Sequence, residues 1–190
     1  MKIVSVWNEK GGVGKSTIAW NLCGAAAARG LSVLLVDDDP QGSCTWLGSD
    51  GFASFQVTQE FPKNEPDIDL LIIDMTPTTT DCPYGIVLIP YQPSRLAYGV
   101  VNKHLPRLHE LGCRVIEIIS MVDTRKSDHR DFVKAKRKQL PNVQVVPSRS
   151  IYERVIGLGR TVFDPALKGL YGLSDAQKDI NKILDEVLND

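Results

Sequence analysis

Glu9-Lys10-Gly11-Gly12-Val13-Gly14-Lys15-Ser16-Thr17 stands between an apolar run, Ile3 to Trp7, and a helical pattern, Ile18 to Arg29. The run predicts a buried strand. Strand, glycine loop and helix in that order make the setting of a phosphate-binding loop. Glycines let backbone N–H groups turn inward onto an anion, and the helix adds the positive end of its dipole. Gly11, Gly12, Val13 and Gly14 would then cradle phosphates, with Lys15 reaching the β- and γ-phosphates. The Ser16 hydroxyl would sit on Mg2+, and Thr17 would close the α-phosphate side. The usual pattern has a glycine five positions before Gly14; that position is Glu9, and a second lysine, Lys10, precedes the glycine pair. Lys10 is badly placed for phosphates of its own subunit but could reach a nucleotide on a facing copy.

Outward from this loop, strands and helices alternate. Leu31 to Val36, Leu70 to Ile73, Ile86 to Ile89, Arg114 to Ser120 and Val143 to Val146 predict five more strands. Helical patterns fall at about Ser94 to Leu111, Asp128 to Gln139, Ile151 to Gly157 and Ser174 to Leu188. Apolar runs joined by helices predict a doubly wound, mostly parallel α/β sheet flanked by helices, with ligands at the carboxyl ends of its strands. The polar stretch Gly48 to Pro66, with Phe52, Phe55 and Phe61, has room for a short edge strand that the sequence does not place.

A chain of 190 residues suits one domain, residues 1–190. No apolar run approaches the length of a membrane-spanning helix. Met1-Lys2-Ile3 leads straight into a strand, so neither a signal peptide nor an appended DNA-reading domain is expected, and the cytoplasm is the expected compartment. Cys23, Cys44, Cys82 and Cys113 are scattered, which predicts reduced thiols and no metal centre. His104, His109 and His129 have no partner at ligand or triad spacing, and Trp7, Trp20 and Trp46 read as packing residues.

Two acidic segments follow strands. Asp37-Asp38-Asp39-Pro40-Gln41-Gly42-Ser43 places three carboxylates in a row, which repel one another unless a cation gathers them. Mg2+ carried by ATP supplies such a cation. Leu70-Leu71-Ile72-Ile73-Asp74 is a strand ending in a carboxylate, the Walker B pattern, whose Asp holds Mg2+. Charge is also uneven: residues 125–160 hold ten Lys and Arg against three acids, a net +7, leaving −8 for the rest of a chain whose total is −1. Arg130, Lys134, Arg137 and Lys138 recur at helical spacing, with Phe132, Val133 and Leu140 facing inward. Such a block predicts a polyanion-binding face.

Lys10 to Thr17, Asp37 to Gly42 and Leu70 to Asp74 together resemble the deviant Walker A motif and acidic segments of the ParA/MinD class of ATPases. The chain resembles a small ParA-type partition ATPase over nearly its whole length, most strongly at 3–47 and 69–95. The resemblance implies ATP and Mg2+ as cofactors and a nucleotide-sandwich homodimer that forms on ATP binding. Lys10 would cross to the partner's triphosphate, Lys15 would bind its own, and Asp39 would orient the attacking water. Ser16, Asp37 and Asp74 would surround Mg2+. Ser120-Met121-Val122-Asp123-Thr124-Arg125 and Pro147 match segments near the base, which puts Asp123 and Pro147 in the nucleotide site. The family's proline pair after the Walker B Asp is here Thr76-Pro77, and Thr76, Thr78, Thr79 and Thr80 are either extra donors or plain loop.

Relatives also hold double-stranded DNA without sequence preference, which implies Arg130, Lys134, Lys138, Arg149 and Arg154 as phosphate contacts. They work with a ParB-like or small ribbon–helix–helix-type adaptor and associate with the nucleoid. No stable membrane association is expected, because the end, Ile180 to Asp190, is acidic where MinD-like proteins carry a basic amphipathic helix. Other readings stay open. One is a MinD-like membrane-cycling ATPase, and another is a nucleotide-gated scaffold that positions a protein assembly. A third is an iron–sulfur relative, for which Cys82 lies too far beyond Asp74.

Overall fold

β2 (Val33–Asp37) and β4 (Leu70–Asp74) are buried at every position, as strands covered on both faces must be. They belong to a computed structural model that describes residues 1–77 and 83–189. The remaining strands are β1 (Lys2–Val6), β3 (Gln56–Thr58), β5 (Ile86–Tyr91), β6 (Arg114–Val122) and β7 (Gln144–Pro147). All pair in parallel, in the order β3-β2-β4-β1-β5-β6-β7. β3 is the edge strand that the sequence did not place. Val6 and Asp37 both stand in register with Asp74, so β1, β2 and β4 end at one level and the segments that leave them converge.

The helices are α1 (Lys15–Ala28), α2 (Ser43–Ser49), α3 (Arg95–Glu110), α4 (Ser127–Gln139), α5 (Ser150–Ile156) and α6 (Leu173–Leu188). α1 begins three residues before the predicted Ile18, because Lys15, Ser16 and Thr17 form its first turn. α3 begins as expected after Ser94, whose Oγ accepts the Ala97 N–H at 3.1 Å. α2 was not predicted.

α1 is buried along most of its length and around most of its circumference, from Ile18 to Ala26, so it needs cover on the side away from the sheet. α6 supplies it with a face of Leu173, Ala176, Ile180, Ile183, Leu184 and Val187. A side chain at Gly24 would collide with Thr161, so glycine there lets the 160–163 segment lie on the helix. The Trp20 indole N–H then donates to Arg160 O at 3.0 Å, and Val162 N–H donates to Asn21 Oδ1 at 2.9 Å.

A second core lies under α3 and α4. Lys136 of α4 is buried there, with its ammonium 2.9 Å from Glu117 Oε2 and 3.7 Å from the centre of the Tyr98 ring. Tyr91 Oη donates to the same carboxylate at 2.7 Å, so the buried pair is well hydrogen-bonded.

Candidate functional site

The loop from Trp7 to Gly14 joins β1 to α1. Gly12 and Gly14 have φ of 69° and 89°, values that glycine adopts without penalty, and Gly14 caps α1 without a side-chain partner. A Cβ built on Gly11 or Gly12 would meet nothing within 4 Å, so an anion has room to approach the loop backbone. Three side chains pin the loop, one from within it and two from outside. Asn8, which is buried, donates to Pro90 O at 2.7 Å and accepts the Lys10 N–H at 2.8 Å. Ser120 Oγ donates to Val13 O at 2.8 Å. His104 on α3 lies 2.6 Å from Glu9 Oε2, a contact not legible in the sequence.

The two lysines differ in setting. Lys15 is buried, and loss of water lowers its ammonium pKa while Asp74 and Asp39 pull it back up. Lys10 is exposed. Ser16 stands in the first turn of α1 with its hydroxyl hydrogen-bonded to Asp74.

The start of α2 meets both buried carboxylates. Thr45 N–H donates to Asp37 Oδ2 at 2.7 Å, and Cys44 Sγ lies 3.4 Å from Asp74 Oδ2. Asp37 Oδ1 and Asp74 Oδ1 are buried with no hydrogen-bond partner among the described residues. Two orphaned carboxylate oxygens are costly unless a cation satisfies them. The described residues form no group of three or more His, Cys, Asp or Glu able to hold a metal. A pair of carboxylates suits Mg2+, which keeps several waters and binds through one or two carboxylates beside phosphates. Asp39 is half-buried in the turn that enters α2, where its Oδ1 accepts the Gln41 N–H at 2.9 Å and its carbonyl accepts the Gly42 N–H at 2.8 Å.

Burial raises the Asp74 carboxyl to about 6, against the lowering effect of its Ser16 and Cys44 hydrogen bonds. The folded chain therefore holds this proton more tightly than the unfolded one. Without metal, ionising Asp74 removes stability as pH climbs from the ordinary carboxylate value of 3.8 through about 6. A divalent cation favours the ionised form. The increase in melting temperature produced by Mg2+ with nucleotide is expected to be larger at about pH 7 than at about pH 5. Equal increases at the two pH values would remove Asp74 from the metal site.

A cleft of about 400 Å3 opens beside the loop, lined by Gly14, Thr17, Met121, Pro147, Arg149 and Tyr152 among others. Pro147 and Thr17 are thus brought together. Asp123 is not part of that lining; Arg125 clasps its carboxylate at 2.9 Å through two nitrogens and holds it down to about 2. Met121 is the one described residue other than glycine with positive φ, at 54°. Its side chain overhangs Gly14, and Gln92 Nε2 lies 3.6 Å from its sulfur. Sequence reasoning missed Met121, Asn8 and Cys44 as site residues.

Arg130, Lys134 and Lys138 do come together, lining one groove with Arg137, Val122 and Val145. Arg149 and Arg154 do not join them. Arg149 is half-buried at the cleft and paired with Asp179 at 2.8 Å, whereas Arg154 is exposed on α5. The +7 count also overstates the free charge: Arg125, Lys136, Arg149 and Arg160 pair with Asp123, Glu117, Asp179 and Asp164, all outside residues 125–160. Thr78, Thr79, Thr80 and Cys82 lie outside the described residues.

The family described as the CobQ/CobB/MinD/ParA nucleotide binding domain matches residues 4–163. The maintenance of carboxysome distribution protein A of Gloeobacter kilaueensis is 52% identical over 61 residues, 31% of this chain but only 28% of that protein's length. The protein of the same name from Halothiobacillus neapolitanus is 25% identical over 213 residues, covering 97% of this chain and 95% of its own. Among solved structures, the septum site-determining protein MinD of Pyrococcus horikoshii, complexed with Mg-ADP, superposes with a TM-score of 0.68. That alignment covers 99% of this chain and 96% of that one at 16% identity, a level that speaks for the fold.

Proposed function

The chain belongs to the CobQ/CobB/MinD/ParA nucleotide-binding domain family, and from that premise we propose that it is a ParA-like partition or positioning ATPase. It binds Mg-ATP, closes as a nucleotide-sandwich homodimer and holds double-stranded DNA without sequence preference. Hydrolysis, stimulated by a ParB-like or small ribbon–helix–helix-type adaptor, releases it from the nucleoid in the cytoplasm. The observation that carries this reading is the unlike pair of lysines on one loop. Lys15 is buried at the head of α1, and Lys10 is exposed with its backbone held by Asn8.

Each side chain has a task in this scheme. The loop N–H groups and Lys15 hold the triphosphate. Ser16, Asp37 and Asp74 would hold Mg2+, which would supply charge neutralisation at the phosphates. Asp39 orients the water for in-line attack. Lys10 enters the partner's site, where a cation of this kind accelerates phosphoryl transfer by ~10^3 to 10^5. Pro147 flanks the base, with Asp123 at the edge of that region.

One fact favours this reading over a membrane-cycling one: the apolar face of α6 is buried in the core and so is not free to lie on a membrane surface. The cargo is DNA or a protein assembly; the match along nearly the full length of a carboxysome distribution protein favours including the second.

ATP hydrolysis measured with and without double-stranded DNA tests the core of the proposal, and no turnover under either condition would overturn it. Exchange of Arg130, Lys134 and Lys138 for Glu is expected to abolish retention on DNA at moderate salt. It should also flatten the salt dependence by about one unit for each lost phosphate contact. Unaltered retention and slope would move the DNA face elsewhere.

A further inference from the structure

Cys44 is the second residue of α2 and has no exposed surface. Its thiol is 3.4 Å from Asp74 Oδ2 and 3.9 Å from Ser16 O. The next residue, Thr45, gives its N–H to Asp37 Oδ2. The first turn of α2 thus engages both buried carboxylates, each by one oxygen; on Asp74 it shares that oxygen with the Ser16 hydroxyl, which a bound Mg2+ would draw to itself, leaving the thiol as the donor. In both, the other oxygen is the one left without a partner. Asp37 and Asp74 are 2% and 1% exposed, so water does not reach the orphaned pair freely.

A carboxylate turns easily about its last torsion, which has only broad, two-fold preferences. A donor on one oxygen selects which oxygen faces the remaining direction. We propose that Cys44 is a positioning residue for the divalent cation: its thiol holds Asp74 by Oδ2 so that Oδ1 is presented to the ion. This deepens the ATPase reading and rests on it. It also gives α2 a role, because the turn carrying Asp39 runs directly into that helix. One short element then couples the metal's carboxylates to the residue that orients water. A thiol suits the position because it is a weak donor that also packs as a small apolar group in a site without exposed surface.

The test compares the unaltered chain, Cys44→Ala and Cys44→Ser in titrations of Mg2+ against a fluorescent ATP analogue, with nucleotide affinity in EDTA as the control. Cys44→Ala is expected to need ~10-fold more Mg2+, the usual cost of losing a residue that orients a metal ligand. Cys44→Ser, which keeps a donor, should recover most of that loss, and affinity in EDTA should be the same in all three. If Cys44→Ala does not fold, Cys44→Val keeps the volume without the donor and serves the same comparison. A normal Mg2+ response in either variant without the donor, or a Ser variant as weak as Ala, overturns the proposal. No Mg2+ response in the unaltered chain overturns the ATPase reading, and this inference with it.

Discussion

Lys10→Ala is expected to bind ATP as tightly as the unaltered chain and to lose ~10^3-fold or more in turnover. Binding survives because the phosphates of each loop are served by its own backbone N–H groups and by Lys15, which is buried at the head of α1. Lys10 is exposed, and its main chain is fixed by the Asn8 amide, so truncation leaves the loop's path in place. Nucleotide affinity and single-turnover hydrolysis, measured separately, read the two effects. Unchanged turnover would contradict a role for this lysine in the partner's site.

Asp39→Ala is expected to reduce hydrolysis by ~10^2 to 10^4, the range for a group that handles the reacting water, and to hold the chain as an ATP-loaded dimer. Elution volume in ATP and in ADP reports the dimer. Asp39 also shapes the turn into α2 through the Gln41 N–H, so Asp39→Asn is the sharper variant: the amide oxygen can keep that bond while the charge is lost. Asparagine with full activity would remove Asp39 from the chemistry.

Mixing the two variants separates action within a subunit from action between subunits. In a heterodimer of Lys10→Ala and Asp39→Ala chains, the site on the first chain has its own Asp39 and receives Lys10 from the second. The other site lacks both. Equal mixing should recover about a quarter of the unaltered activity, since about half the symmetric pairs are mixed and each has one complete site. If Lys10 served its own subunit, every site would lack one group and the mixture would stay inactive.

The phosphate loop, the strand-end carboxylates and six of the seven strands were legible because each is a local pattern. A glycine loop between strand and helix, or an apolar run ending in Asp, carries its reading within ten residues. β3 is three residues long and gives no period to detect. α2 is made of Ser-Cys-Thr-Trp-Leu-Gly-Ser, mostly poor helix formers, and is held by contacts from Cys44 and Thr45 to β2, β4 and α1. The fine structure of the site was hidden for the same reason. Asn8 is anchored 82 positions away at Pro90, and Ser120 reaches 107 positions back to Val13. Arg149 counted as part of a basic block until its partner, Asp179, appeared thirty positions on. A charge count along a sequence cannot see such pairings.

The order in which the layers are made has a bearing on biosynthesis. α1, which follows the phosphate loop, is made before α6, its cover, which comes after every other described element. Until α6 docks, the side of α1 away from the sheet lacks its apolar cover. A chain that has not yet made α6 therefore presents an apolar surface beside the phosphate loop, a handle for chaperones during synthesis.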